Sequence, residues 1–204
     1  MINYQLKTDE IIQQIESSKA KPALLLHSCC GPCSSYVLEY LCDFFRVSVF
    51  YYNPNIFPEK EYLKRKNEQI RLISEFNKIG KDISFIDCDY DHSVFLKCTI
   101  GLEREKEGGE RCHNCYEFRM RKAAEIAEKK GFDFFATTLT VSPYKNSQVL
   151  NELGEKIENE TGVRYLYSDF KKRNGYKRSI ELSKQYDLYR QIYCGCEFSI
   201  NNSF

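Results

Sequence analysis

No apolar run in the sequence approaches the roughly 20 residues that a membrane-spanning helix requires, so no membrane partner is expected. The first residues, MINYQLKTDEII, are polar and lack the apolar centre of a secretion signal, which makes a cytoplasmic location the expectation. Neither sign of charge is in excess: 30 basic against 29 acidic residues leave a net charge of +1. A polyanionic partner would then be held by local patches and not by the global field. Histidine is scarce, with three residues, so a histidine-based metal site is not the default. There is no internal repeat and no low-complexity linker.

Cysteine, by contrast, is abundant, with ten residues in 204. In a reducing compartment that number argues against structural disulfides. With 42% hydrophobic and 14% aromatic residues the chain can bury a core without such staples. The expectation is one α/β domain over 1–204, with a helical C-terminal segment at about 168–199.

Strand and helix patterns alternate along the chain. ALLLH (23–27), RVSVFYY (46–52), ISFIDCD (83–89), FDFFATTL (132–139) and VRYLY (163–167) read as strands. Helical patterns occupy about 9–19, 34–45, 59–79, 92–100, 112–130, 146–160 and most of 175–193. In the third of these, Leu63, Ile70, Ile73 and Phe76 are expected on the inward face. This order predicts a Rossmann-like, five-stranded parallel sheet with helices on both faces. Ligands of such sheets sit beyond the carboxyl ends of the strands, at the switch point. The loops after the first and fourth strands, CCGPC and TTLTVSPYKN, are the natural walls of a site.

Seven of the ten cysteines fall in three short groups: Cys29, Cys30 and Cys33 in CCGPC; Cys112 and Cys115 in CHNC; Cys194 and Cys196 in CGC. Cys112 and Cys115 are three apart at a helix start, so both thiols face one way and the positive helix end favours thiolate. Four such thiols suit zinc or a 4Fe–4S cluster. One such centre does not use seven, which points to a second metal or a redox-active pair. Cys42 and Cys98 read as core residues. Cys88 lies among Asp87, Asp89 and Asp91, acids that serve either as metal ligands or as caps and solvated charges.

The motifs CCGPC, YYNPNIFPEKEYLKR, GGERCHNCYEFRM, TTLTVSPYKN and DFKKRNGYKRSIELSKQYDLYRQIYCGCEFS run in order from about 24 to 199. In them the sequence resembles the QueH epoxyqueuosine reductases. The resemblance implies a fold similar to PP-loop (adenine nucleotide alpha hydrolase-like) proteins, although a Cys-rich loop in place of a Gly/Ser-rich one gives no expectation of ATP use. It implies reduction of epoxyqueuosine to queuosine at the tRNA wobble position, with an iron–sulfur cluster and a nearby second metal or redox thiol pair.

Within that reading, Cys29, Cys30, Cys112 and Cys115 are assigned to the 4Fe–4S cluster. Cys33, Cys194 and Cys196 remain as catalytic thiols, holding an additional mononuclear iron or forming a reducible pair. Tyr193, His113 and the acids of 87–91 are candidate proton donors. For the tRNA partner, Lys171, Lys172, Arg173, Tyr176, Lys177 and Arg178 form the best candidate contact, ahead of Lys64–Lys66 and Arg119–Lys122. An electron donor is required but not named by the sequence. The rivals are a zinc-stabilised RNA-binding module without catalysis, and a thiol–disulfide oxidoreductase using Cys112 and Cys115.

Overall fold

The chain is described by a computed structural model over residues 2–200. The apolar run Ala23–His27 forms β1, the centre of a parallel sheet in which it pairs with Arg46–Phe50 (β2) on one side and Phe134–Thr137 (β4) on the other. Ile83–Ile86 (β3) and Arg164–Tyr165 (β5) complete the edges, giving the order β3-β2-β1-β4-β5.

Successive residues of a strand point to opposite faces, so a strand covered on both sides must be apolar throughout. Leu24 and Leu26 of β1 enter one core with Val47, Val49, Phe134 and Ala136. That core also holds Val37 and Leu41 of helix α2 (Gly31–Leu41) and Leu72 and Phe76 of helix α3 (Glu59–Lys78). Leu25 and Phe135 enter the other core. There they meet Met120, Ala123, Ala124 and Ala127 of α4 (Glu110–Lys130) and Leu150 and Ile157 of α5 (Ser147–Thr161). Gly154 of α5 is required by packing, since a Cβ there would lie 2.3 Å from the Tyr165 ring.

Several boundaries differ from the sequence reading. Helix α2 begins at Gly31, not near 34, because Pro32 fits the first turn of a helix and Cys30 stands at the N-cap. Cys33 is therefore a helical residue. On α3 the inward face is Tyr62, Arg65, Gln69, Leu72, Ile73 and Phe76, while Leu63 and Ile70 are 46% and 40% exposed. Two polar residues took inward positions because they have polar partners there. The fourth strand is cut short by a 3-10 turn over Thr138–Val141, in which the Thr137 hydroxyl accepts from the Leu139 N–H at 3.2 Å.

The C-terminal segment is helical over Gly175–Gln185 (α6) and again only at its very end. Asp187 adopts a left-handed conformation at φ 47°, and the Leu188 N–H donates back to Ser183 O at 2.8 Å. This is a Schellman-type stop, with buried Leu188 as its apolar anchor. Residues 186–196 then run without regular structure as a strap to the short helix Glu197–Ile200.

Candidate thiol site and cavity

The strand order reverses between β1 and β4, and the loops that leave these two strands line a single cavity of about 400 Å³. Its walls carry Cys29 and Cys33 from the first loop, Leu139 to Lys145 from the second, Arg119, and Arg190 to Cys194 from the strap. This is the place that the topology assigns to a ligand.

The cysteine turn is braced from below. Gln69, fully buried on α3, accepts from the hydroxyls of Ser28 and Ser34, both at 2.7 Å. Asn53 donates to Ser28 O at 2.8 Å and in turn accepts from Arg119 Nη1 at 3.1 Å. The Cys29 N–H donates to the Thr138 hydroxyl at 3.3 Å, which joins the two loops. Beneath them His27 is fully buried: its Nδ1 meets Thr137 Oγ1 at 3.0 Å and its Nε2 meets Tyr52 O at 3.1 Å. Burial, then the nearby Arg119 charge, lowers its pKa to about 3, so it is a neutral structural imidazole.

Cys29, Cys30 and Cys33 place their three sulfurs within 4.8 Å of one another, with 3.7 Å between Cys29 and Cys30. Hydrogen bonds from the Cys30 and Cys33 thiols draw the Cys29 pKa well down, helped by Lys145 and the Thr138 hydroxyl. The same sharing pushes Cys30 up to about 12 and raises Cys33. Within the trio Cys29 is thus the thiol most easily ionised, and a metal ion would displace the protons of all three.

A second group comes from other elements. Cys115 and Cys196 pack with Phe95 and half-buried Cys98, while Cys112 shares the other core with Cys29. Gly108 N–H donates to Cys112 Sγ at 3.2 Å. Burial raises Cys115 to about 12, and it raises Cys112 and Cys196 as well. Cys194 lines the cavity and acts electrostatically on Cys112, Cys115 and Cys196. All ten cysteines are free, Cys194 and Cys196 included. Cys98, read from sequence as a core residue, lies beside two site thiols; its spacing carried no signal of this.

The strap that carries Cys194 is tied to α3 by polar contacts. Arg65 pairs with Glu61 at 2.7 Å, donates to Cys194 O at 3.0 Å and lies over the Tyr193 ring. Glu68 accepts from the Tyr189 N–H at 2.6 Å, and the Tyr189 hydroxyl donates to Glu61 at 3.1 Å. Gln191 donates to Cys30 Sγ at 3.0 Å. These contacts explain why Arg65 faces inward, as those with Ser28 and Ser34 explain Gln69.

Among the acids, Asp87 pairs with Lys66 and Asp91 caps the helix His92–Cys98 by accepting from Ser93 N–H at 2.9 Å. Asp89 is exposed. Tyr193 lines the cavity but its hydroxyl donates to Phe57 O at 3.1 Å, and His113 is half-buried away from the cavity wall. In the 171–178 segment, Lys171 pairs with Asp169, Arg173 with Asp9 and Arg178 with Glu39 and Glu181, while Lys172 donates to Asn3. Lys177 is exposed, and Tyr176 lines the cavity.

Cations without carboxylate partners surround the thiols. Arg119 is 2% exposed; its Nε donates to Cys115 O at 3.2 Å and its Nη2 has no partner. Desolvation opposes the charges of Arg119 and Lys145, yet neighbouring thiols outweigh it and raise both pKa values, Cys115 leading at Arg119 and Cys194 at Lys145. Among the described residues Arg119 Nη2 is a buried donor left over from these contacts, available to anionic sulfur.

A switch-point cavity walled by soft, metal-competent thiols and unpaired cations defines an α/β protein built for thiolate chemistry. Sequence comparison agrees in detail. The family described as "Epoxyqueuosine reductase QueH" matches residues 24–202. The epoxyqueuosine reductase QueH of Streptococcus pyogenes serotype M1 is 43% identical, over 97% of this chain and 79% of its own length. That of Staphylococcus epidermidis is 44% identical, over 97% and 84%, and that of Thermotoga maritima 33%, over 87% and 90%. The chain belongs to the QueH family.

Proposed function

We propose that this protein reduces epoxyqueuosine to queuosine in tRNA. The observation that carries the reading is the group of Cys29, Cys30 and Cys33 at the sheet's switch point, with Cys194 of the CGC motif on the wall of the same cavity, in a chain of this family. The reaction consumes two electrons and two protons, converts the epoxide to an alkene and releases its oxygen as water.

The donor set fits an iron–sulfur cluster. Three of its thiols, Cys29, Cys30 and Cys33, lie within 4.8 Å of one another, Cys30, Cys112 and Cys115 are buried, and the buried Nη2 donors of Arg65 and Arg119 offer hydrogen bonds to anionic sulfur. Cys29, Cys30, Cys112 and Cys115 would hold a 4Fe–4S cluster, which supplies single electrons when bound. Cys33, Cys194 and Cys196 would hold a further iron or act as a dithiol that forms and breaks a disulfide. The remaining residues do ordinary work. Leu139, Val141 and Pro143 exclude water from the cavity, and Arg119 and Lys145 stabilise negative charge beside the thiols. The electron donor is a separate component, and the tRNA location implies a cytoplasmic site of action; among the described residues no helix is long and apolar enough to cross a membrane.

The test is anaerobic purification followed by iron, zinc and sulfide analysis, and turnover of an anticodon stem-loop carrying epoxyqueuosine with a chemical reductant. A brown protein with about four irons and four sulfides per cluster, and a further iron where Cys33, Cys194 and Cys196 hold one, is the expected result. A colourless protein with one zinc, no sulfide and no turnover would establish the zinc-stabilised alternative.

A further inference from the structure

The basic segment at 171–178 is the obvious RNA contact in the sequence, yet most of its cations are engaged by acids of the same chain. Lys171, Arg173 and Arg178 have carboxylate partners and Lys172 has Asn3. Such cations must give up a partner before they can take a phosphate. The cavity has the opposite character. Arg119, Lys145 and Arg190 all line it, and among the described residues none has a carboxylate within salt-bridge distance. Among the described residues the exposed Arg190 guanidinium donates to Ser183 Oγ at 3.0 Å and to Ser179 O at 3.5 Å. Against them the cavity wall carries one acid, Glu107.

Two large side chains on separate segments are exposed on this same wall. Tyr144, from the loop after β4, is 69% exposed, and Ile192, from the strap, is 82% exposed. Folding gains nothing from leaving an aliphatic residue that open beside a cysteine. A cavity of about 400 Å³ lies within the range of sites for a base-sized guest. A nucleotide placed there brings its own phosphate and its neighbours' bases to the rim. Those groups need an unpaired cation and a flat or apolar support.

We propose that Tyr144, Ile192 and Arg190 form a nucleotide clamp at the cavity mouth: Tyr144 and Ile192 hold a base of a single-stranded RNA loop, and Arg190 binds the adjacent phosphate. The clamp rests on the tRNA reading above and names the part of the surface that the RNA uses. It places RNA recognition on the strap that also carries Cys194, and makes α6 a scaffold that lends Tyr176 and Ser179 to the cavity wall. An unpaired base has an open π face for Tyr144 to stack on, whereas a base within a duplex does not.

The experiment measures binding of anaerobically purified protein to a synthetic RNA anticodon stem-loop, and to the duplex stem alone, across a salt series. Tyr144→Ala should weaken stem-loop binding about 5- to 150-fold, and Tyr144→Phe should restore it, because the ring and not the hydroxyl supports the base. Ile192→Ser should weaken binding in the same direction. Arg190→Gln should lower the salt slope by about 0.7, the loss of one phosphate contact on a single strand. Duplex binding should not change in any of them. A paired variant, Lys172→Gln with Arg173→Gln, should bind as the parent does. All the side chains altered are exposed, and unchanged melting curves will show that the fold is intact. If the three rim variants bind the stem-loop like the parent while Lys172→Gln with Arg173→Gln weakens it, the clamp is refuted and the RNA lies along α6. If the parent itself does not bind the stem-loop, the tRNA reading fails, and the clamp with it.

Discussion

Arg65→Met should detach the strap from α3. The change removes a buried ion pair whose arginine is 2% exposed and whose partner Glu61 is 13% exposed. Breaking a buried pair by deleting one member costs about 3–5 kcal/mol. The low end applies here, because Glu61 is partly solvated and keeps the Tyr189 hydroxyl at 3.1 Å. The lost hydrogen bond to Cys194 O adds about 1 kcal/mol, and the lost cation–π contact with Tyr193 about 0.5–1 kcal/mol. Removing Arg65 Nη2, a buried donor with no partner, returns about 1 kcal/mol. Methionine fills the stem's volume, so no cavity term enters. The net expectation is a loss of about 3–4 kcal/mol, concentrated in residues 186–196. Urea denaturation of metal-free, reduced protein measures the total, and limited proteolysis locates it: cleavage should appear between Tyr189 and Cys194 below the unfolding midpoint. Adding Glu61→Gln should recover part of the loss, because the stranded carboxylate is gone. A loss under about 1 kcal/mol, with no new cleavage in the strap, would refute the reasoning.

Serine at Cys112 or Cys115 should abolish the visible absorbance of the cluster, whereas serine at Cys194 or Cys196 should retain it and stop turnover; loss of absorbance in both strap variants would move those thiols into the cluster's ligand set. Gly175→Ala should lower stability by about 1–3 kcal/mol or more, since its Cβ would sit 1.9 Å from Phe170 O and 2.3 Å from the Tyr36 ring; an unchanged denaturation midpoint would show that the chain at 170 yields. His27 has a folded pKa of about 3, below its usual value, so the unfolded chain binds more protons. Its contribution is complete above the unfolded pKa of about 6.5 and is lost as pH falls toward 3, at up to about 1.4 kcal/mol per pH unit. In metal-free protein, His27→Gln should flatten the acid limb of the stability curve relative to the parent, and identical limbs would count against a neutral His27.

The sheet was legible because its central strands are largely buried on both faces: ALLL is an unbroken apolar run and VSVF is interrupted only by Ser48, and their pairing at the centre follows from parallel packing. The thiol groups were legible because cysteines at short spacings beside turns stand out from any packing pattern. Other features left no periodic trace. The sequence pattern puts Leu63 and Ile70 inside because it weighs apolarity alone, whereas α3 turns Arg65 and Gln69 inward to meet partners 129 residues away at Cys194 and 35 and 41 residues away in the cysteine turn. The strap reads as helix because YDLYRQIY has helical composition, and it is stopped by the turn at Asp187 and held by α3. The basic segment 171–178 reads as an open patch because its acidic partners, Asp9 and Glu39 among them, come from remote parts of the chain.

The thiols rest on two kinds of support. Those of the first two groups stand on β1, α2 and α4, where sheet pairing and a closed core set their positions. Cys194 and Cys196 stand on a segment with no regular backbone hydrogen bonding, clasped by side chains. The consequence is an order of construction. On the reading proposed above, a metal centre would be built in the firm half, and the strap would come last with Cys194 and Cys196. Cys30, 1% exposed, lies beneath it, with Gln191 of the strap donating to its sulfur at 3.0 Å. An oxidant or chelator bound for that sulfur has to get past the contacts of Arg65, Glu61 and Glu68 with the strap.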